Sequence, residues 1–259
     1  MTTTRHLAQH TTTEAGELFA QARLALLPVG AIEQHGPHLE LRTDISIATA
    51  MAERIAAGLG EPAIVCPPMP YGISEHHLRF AGTLTLRPAT FQAVVVDIVE
   101  SLAAHGVDRI LVVNGHGGNV DAVRLAARAV RRDVDIMVAH MMWATVIGDI
   151  IAEEMEGRGA HNHACEIETS LALALCPQIV RYDRPGPAVY PGLEPLVAPP
   201  TARFDVPLRF DELSSDGALG DPSRADLELG SRLADAAVER GIAFARAFLL
   251  EGFPQTQKL

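Results

Sequence analysis

The stretch RILVVNGHGGN at Arg109–Asn119, running on into VDAVRLAARAVRR at Val120–Arg132, decides the fold. Ile110–Val113 is apolar at every position and ends at a glycine-rich turn, which suits a strand buried on both faces. From Asn119 to Arg132 the pattern is helical, with Val120, Val123, Leu125, Ala127 and Val130 read as the apolar face and basic residues opposite. Outward from this strand-turn-helix unit the alternation repeats. LALLPVG (Leu24–Gly30) reads as a strand, although Pro28 argues against a central position with a full hydrogen-bond ladder. Ile45–Leu59 places Ala48, Met51, Ala52 and Ile55 at helical spacing, Ala63–Cys66 is a strand closed by Pro67 and Pro68, Ala89–His105 is a helix, and Asp135–Ala139 is a fourth strand. Strands apolar throughout and alternating with helices predict an α/β fold, a three-layer α/β/α sandwich around a mostly parallel sheet. Prolines crowd Arg181–Pro222, which predicts a long irregular excursion, and Arg224–Glu251 is a closing helix. With no repeat, charge block or linker, residues 1–259 read as a single domain, the polar Met1–Glu17 being poorly ordered.

Composition narrows the function. The chain holds 21 Lys+Arg against 32 Asp+Glu, a formal net charge of −11, which argues against nucleic acid as a partner because phosphates are met by clustered Lys and Arg. No apolar run is long enough to span a membrane and Met1–Glu17 lacks the apolar centre of a signal peptide, so a soluble cytoplasmic protein without a membrane partner is expected. Cys66, Cys165 and Cys176 are at no zinc-ribbon spacing and suggest neither disulfides nor a thiolate metal site.

Most of the 11 histidines sit in polar clusters between apolar segments. In Gly30–His38 (GAIEQHGPH), Glu33 and His35 are two apart, so on an extended strand end both project to one side. Such strand ends are where parallel α/β sheets bind ligands. Asp44 follows just before a helix and could equally be its N-cap. The turn NGHGGN (Asn114–Asn119) could cradle a phosphate at a helix N-terminus, though no known cradle motif is present, or it could present His116 as a ligand. Gly117 and Gly118 could supply amide donors or room for a substrate. In HACEIETS (His163–Ser170), Glu166 and Glu168 lie about 200° apart on a helix, so at most one enters a shared site. His76 and His77, after Tyr71, could line a site or lie on the surface. A set of Glu, His and Asp without thiolates suits Zn²⁺, Mn²⁺ or Fe²⁺ better than Ca²⁺.

Together GAIEQHGPHLEL with Thr43-Asp44, NGHGGN and HACEIETS resemble the creatininase (creatinine amidohydrolase) family of metal-dependent amide hydrolases. The resemblance runs from about Leu24 to Leu175 and more loosely to GDPSRAD at Gly220–Asp226. It implies two divalent metal ions (Zn, Mn or Fe): Glu33 and His116 on the first, His35 on the second, Asp44 bridging both, and His163 assisting proton transfer at the scissile amide. It also implies a homo-oligomer, a hexamer. Creatininase itself has a metal-binding glutamate two residues after the second-motif histidine, where this chain has Gly118. Glu168 is expected to fill that vacancy as a metal ligand, the rival being a substrate-binding role. The function this implies is hydrolysis of a non-peptide or cyclic C–N amide bond in a small molecule by a metal-activated water, with Gly117, Gly118 and His76 contacting the substrate. The alternatives are a deformylase or peptidase of cofactor biosynthesis on the same site and, in another class, a nucleotide- or phosphate-binding protein using the NGHGGN turn.

Overall fold

The structure is a computed structural model that describes residues 5–60, 62–133, 136–156, 161–181, 183, 186, 188–190 and 207–250. Four strands, β1 (Leu24–Val29), β2 (Ala63–Val65), β3 (Arg109–Asn114) and β4 (Met137–Met142), form a wholly parallel sheet in the order β2-β1-β3-β4. Side chains alternate across such a sheet, and here both faces are covered. Leu24, Leu26, Leu111 and Val113 enter one core, while Ala25, Leu27, Val29, Ile110 and Val112 enter the other. That double burial is why these strands carry no polar alternation.

Helices α1 (Thr12–Gln21), α3 (Pro88–Ala104) and α4 (Val120–Asp133) accompany the second core. Helix α2 (Thr43–Leu59), the short α5 (Trp143–Val146) and α6 (Gly148–Glu154), α7 (Glu166–Leu175) and α8 (Leu227–Leu249) accompany the first. The expected α/β/α layering is therefore observed. Asp226 caps α8 by accepting the Leu229 N–H, and an apolar stripe through Leu229, Leu233, Ala237 and Phe248 is buried.

Several expectations are corrected. Strand β1 is an inner strand despite Pro28, because the β2 ladder stops at Leu26, so the missing Pro28 N–H breaks no pairing there while its carbonyl accepts the Met69 N–H at 3.0 Å. The buried stripe of α4 is Ala122, Val123, Ala126 and Val130, whereas Leu125 is 51% exposed. Leu125 is two residues from Val123, out of phase with a 3.6-residue period. Strand β4 starts later than expected and continues through His140, whose ring receives the Asn114 amide at 3.3 Å. The segment expected to lack order contains α1, started by a capping box in which Thr11 and Glu14 hold each other's backbone N–H. Asp135, Glu251 and most of the proline-rich excursion, including Pro191, Pro195, Pro199 and Pro200, lie outside the described residues.

Candidate active site

The three motifs meet at the carboxyl ends of β1 and β3. Glycine makes the meeting possible, since a Cβ on Gly30 would lie 2.5 Å from the Ile45 nitrogen and one on Gly115 would lie 2.1 Å from the Asp44 carbonyl oxygen. The first turn of α2 thus sits directly against both strand ends and delivers Asp44 between them. Asp44 is not the N-cap, a position held by Arg42 without a side-chain bond; it is a first-turn residue, 2% exposed.

Glu33, His35, Asp44, His116, His163 and Glu168 are all buried in one cluster. Asp44 faces both ways: Oδ1 is 3.0 Å from His35 Nε2 and Oδ2 is 3.1 Å from His116 Nδ1. Glu33 Oε1 lies 3.2 Å from His116 Nδ1 and 3.9 Å from His163 Nδ1, and Glu168 lies 3.7 Å from His35 Nε2 and 3.9 Å from His163 Nδ1. Each of three imidazoles is anchored by its far nitrogen to a main-chain carbonyl. His35 Nδ1 donates to Glu33 O at 3.1 Å, His116 Nε2 to Ile73 O at 2.8 Å and His163 Nε2 to Gln34 O at 2.8 Å. The near nitrogens are thereby turned toward carboxylates, and that is the arrangement by which a protein orients histidine ligands for a metal.

The electrostatics agree. Both Glu33 oxygens and Asp44 Oδ2 are buried yet lack a partner with hydrogen-bond geometry, a costly state for charged groups unless a cation completes it. Burial pushes the Glu33 carboxyl up from its ordinary value. For Asp44, burial acts in the same direction but His35 and His116 outweigh it and hold the carboxyl low. His163 is pushed down to about 3 by burial and by His35, which leaves it neutral near neutral pH. Among the described residues three groupings could hold an ion: Glu33, His35 and His163; Glu33, His76 and His116; and His35, Asp44 and Glu168.

Glu166 and Glu168 part as the helical geometry requires. Glu166 turns away to accept the Asp221 N–H at 2.9 Å, while Glu168 enters the site and accepts the Ala164 N–H at 2.7 Å. Ala164 holds φ +49°, a left-handed conformation rare for a residue with a Cβ, at the junction that aims both His163 and Glu168.

Gly117 and Gly118 open the short 3₁₀ turn Gly117–Asn119 beside His116. The asparagines of NGHGGN are spent on internal bonds: Asn114 Oδ1 accepts the His116 N–H at 3.1 Å, and Asn119 bonds Gly30 O and the Ile73 N–H. With Asp44 and Glu33 beside it, this turn presents the wrong charge for a phosphate.

His77, left open between site and surface, is placed in the site, while Gln34, Phe210 and His38 had no expected role. His77 is buried, 3.4 Å from Glu33 Oε1; Gln34 bonds it at 2.7 Å; Phe210 covers it with ring centroids 4.0 Å apart; and buried His38 bonds Thr169 at 3.0 Å. Gln34 lies between two motif residues, but strict alternation would turn its side chain away. The chain leaves the strand at Val29 and turns at Gly36 (φ +62°), so alternation does not apply there.

Comparison with known proteins agrees with this geometry. The family model described as creatinine amidohydrolase matches residues 8–245. The mycofactocin precursor peptide peptidase of Mycobacterium ulcerans is 34% identical, covering 80% of this chain and 78% of that protein. The creatinine amidohydrolase of Pseudomonas putida is 33% identical over 89% of this chain and 90% of its own. A solved structure titled as the manganese form of creatininase has a TM-score of 0.75 and 30% identity, covering 93% of this chain and 97% of that one. Among the described residues no helix is long and apolar enough to cross a membrane. On the match along nearly the whole sequence and the converging motifs, the chain belongs to the creatininase family of hydrolases.

Proposed function

We propose that this protein hydrolyses the C–N amide bond of a small molecule at a site holding two divalent ions. Glu33 and His116 would hold one ion, His35 and Glu168 the other, and Asp44 both. The observation that carries this reading is the set of imidazoles anchored to carbonyls with their other nitrogens turned onto buried carboxylates, of which both Glu33 oxygens and Asp44 Oδ2 lack a well-formed hydrogen bond. Oxygen and nitrogen donors without thiolate suit Zn²⁺, Mn²⁺ or Fe²⁺, and solved relatives in a manganese form and in a zinc form support Mn²⁺ and Zn²⁺ alike. When bound, such ions make water more acidic and polarise a carbonyl.

The protein's own groups do the rest. Neutral His163, its Nδ1 facing the carboxylates, accepts the proton of the attacking water and returns it to the leaving nitrogen. Phe210 roofs His77 and His163 and keeps bulk water out. Gly117, Gly118 and half-buried His76 form the substrate's side of the site. A peptide substrate is the second reading, favoured by the identity to the mycofactocin precursor peptide peptidase.

Metal quantification followed by a screen of cyclic ureas, formamides and short peptides tests the proposal. Two ions per chain and turnover of a non-peptide amide are expected; stoichiometric absence of metal would overturn it. Glu168→Gln is expected to weaken or lose one ion, whereas Glu166→Gln keeps both because Glu166 bonds the Asp221 backbone outside the cluster. Unchanged affinity in Glu168→Gln would make Glu168 a substrate-binding group.

Gly118→Glu would not recreate the glutamate of creatininase itself. A Cβ there would lie 2.3 Å from Ile73 O and 2.5 Å from His116 Nε2, the two atoms whose bond aims His116. The expected result is weaker uptake of the ion at His116, on the order of 10–100-fold. Equal or tighter uptake in a zinc titration would show that the turn can reshape.

A further inference from the structure

His77 is buried in the site, yet the groupings able to hold an ion include His35, His76, His116 and His163 and leave it out. Its hydrogen bonds show a different task. The Gly36 N–H donates to Gln34 Oε1 at 2.9 Å, which fixes which end of that amide is oxygen. Gln34 Nε2 therefore faces Gly217 O at 3.2 Å and His77 Nδ1 at 2.7 Å. An amide nitrogen only donates, so His77 Nδ1 accepts, and a neutral imidazole must then carry its proton on Nε2. That atom lies 3.4 Å from Glu33 Oε1, an oxygen with no well-formed hydrogen bond.

The lock is itself locked. Gly217 (φ +90°) packs so closely that a Cβ would lie 2.0 Å from Gln34 Oε1, and its N–H is tied to Ser214 Oγ at 2.9 Å. A loop far along the chain thus clamps Gln34. The rings of His163 and Phe210, with centroids 4.4 Å and 4.0 Å from that of His77, fix the imidazole plane.

We propose that Gln34 keeps the proton of His77 on Nε2 and that this N–H positions the Glu33 carboxylate for the ion shared with His116. The second half rests on the two-ion reading above; the first does not. His77 is a positioning residue, acting through Glu33.

Long-range ¹⁵N–¹H correlation spectra of the metal-free protein, with zinc titrations of variants, test this. His77 is expected to show a protonated Nε2 and a bare Nδ1, and Gln34→Met to move proton density to Nδ1. His77→Leu is expected to weaken one zinc site by about 10–100-fold, with His77→Gln, which retains an N–H donor, recovering most of it. A protonated Nδ1 in the wild type, an unchanged spectrum in Gln34→Met, or wild-type zinc affinity in His77→Leu would each overturn the proposal. If His77→Leu does not fold, the wild-type and Gln34→Met spectra decide. No zinc uptake by the wild type would sink the two-ion reading together with the Glu33 half, while the spectra still decide which nitrogen Gln34 governs.

Discussion

Asp44→Ala is expected to leave the protein without either ion and to lower turnover by at least about 10³-fold, more than any change to a terminal ligand. Asp44 turns its two oxygens onto the imidazoles assigned to different ions, Oδ1 toward His35 at 3.0 Å and Oδ2 toward His116 at 3.1 Å. On the proposed two-ion site, its removal would take a ligand from both ions, whereas Glu33→Ala or Glu168→Ala would strip one. The position at the start of α2 also favours a negative group there, because the helix N-terminus carries partial positive charge. Asp44→Asn keeps the volume and the helix but not the charge, and separates loss of ligation from collapse of packing. Metal analysis, activity and circular dichroism on both variants give the answer. Retention of both metals with near-normal turnover would falsify the shared-carboxylate reading.

How much of this was legible before the structure varies by element. Strands β1 and β3 declared themselves because each is buried on both faces, so every position from Leu24 to Val29 and from Ile110 to Val113 is apolar. The phase of α4 was harder, since Leu125 is as apolar as its neighbours and only spacing reveals that it faces outward. Glu33, His35, Asp44, His116 and Glu168 could be named because the motifs that hold them resemble those of the creatininase family; residue type and spacing alone left Asp44 open as an N-cap. The relationships among these residues could not be named. Nothing local in the sequence says that Asp44 sits inside the first turn of α2 and not at its cap, which depends on close approach to Gly30 and Gly115. Phe210 was missed and His77 left open between site and surface for the same reason: they reach the site from separate loops, and their role follows from contacts across 133 positions of chain, with ring centroids 4.0 Å apart. Gln34 was visible between Glu33 and His35 but carried no expected role, because its partners His77 and Gly217 lie 43 and 183 positions away.

Raising the pH should have opposite effects on the protein with and without metal. Burial opposes a charge on His35, but Asp44 and Glu168 outweigh it and raise its pKa well above the ordinary value; for His116 burial is likewise overcome by Glu33 and Asp44. Without metal both rings therefore hold protons where an unfolded histidine has begun to release them, near pH 6.5. A raised folded pKa gives stability that is complete below the unfolded value and is lost as pH climbs through the folded one. The metal-free protein should thus lose stability above pH 6.5, at up to about 1.4 kcal/mol per pH unit for each of the two histidines. An ion needs the same nitrogens bare, so its binding displaces those protons, and apparent affinity should fall about tenfold per ion for each pH unit lowered below the raised values. Stabilisation by buffered zinc should consequently grow with pH while the metal-free melting temperature declines, the two curves spreading apart between pH 6 and 9. Parallel curves, or a metal-free melting temperature that rises across that range, would show that His35 and His116 are not protonated in place of an ion, and the carboxylates around them would then need another counter-charge.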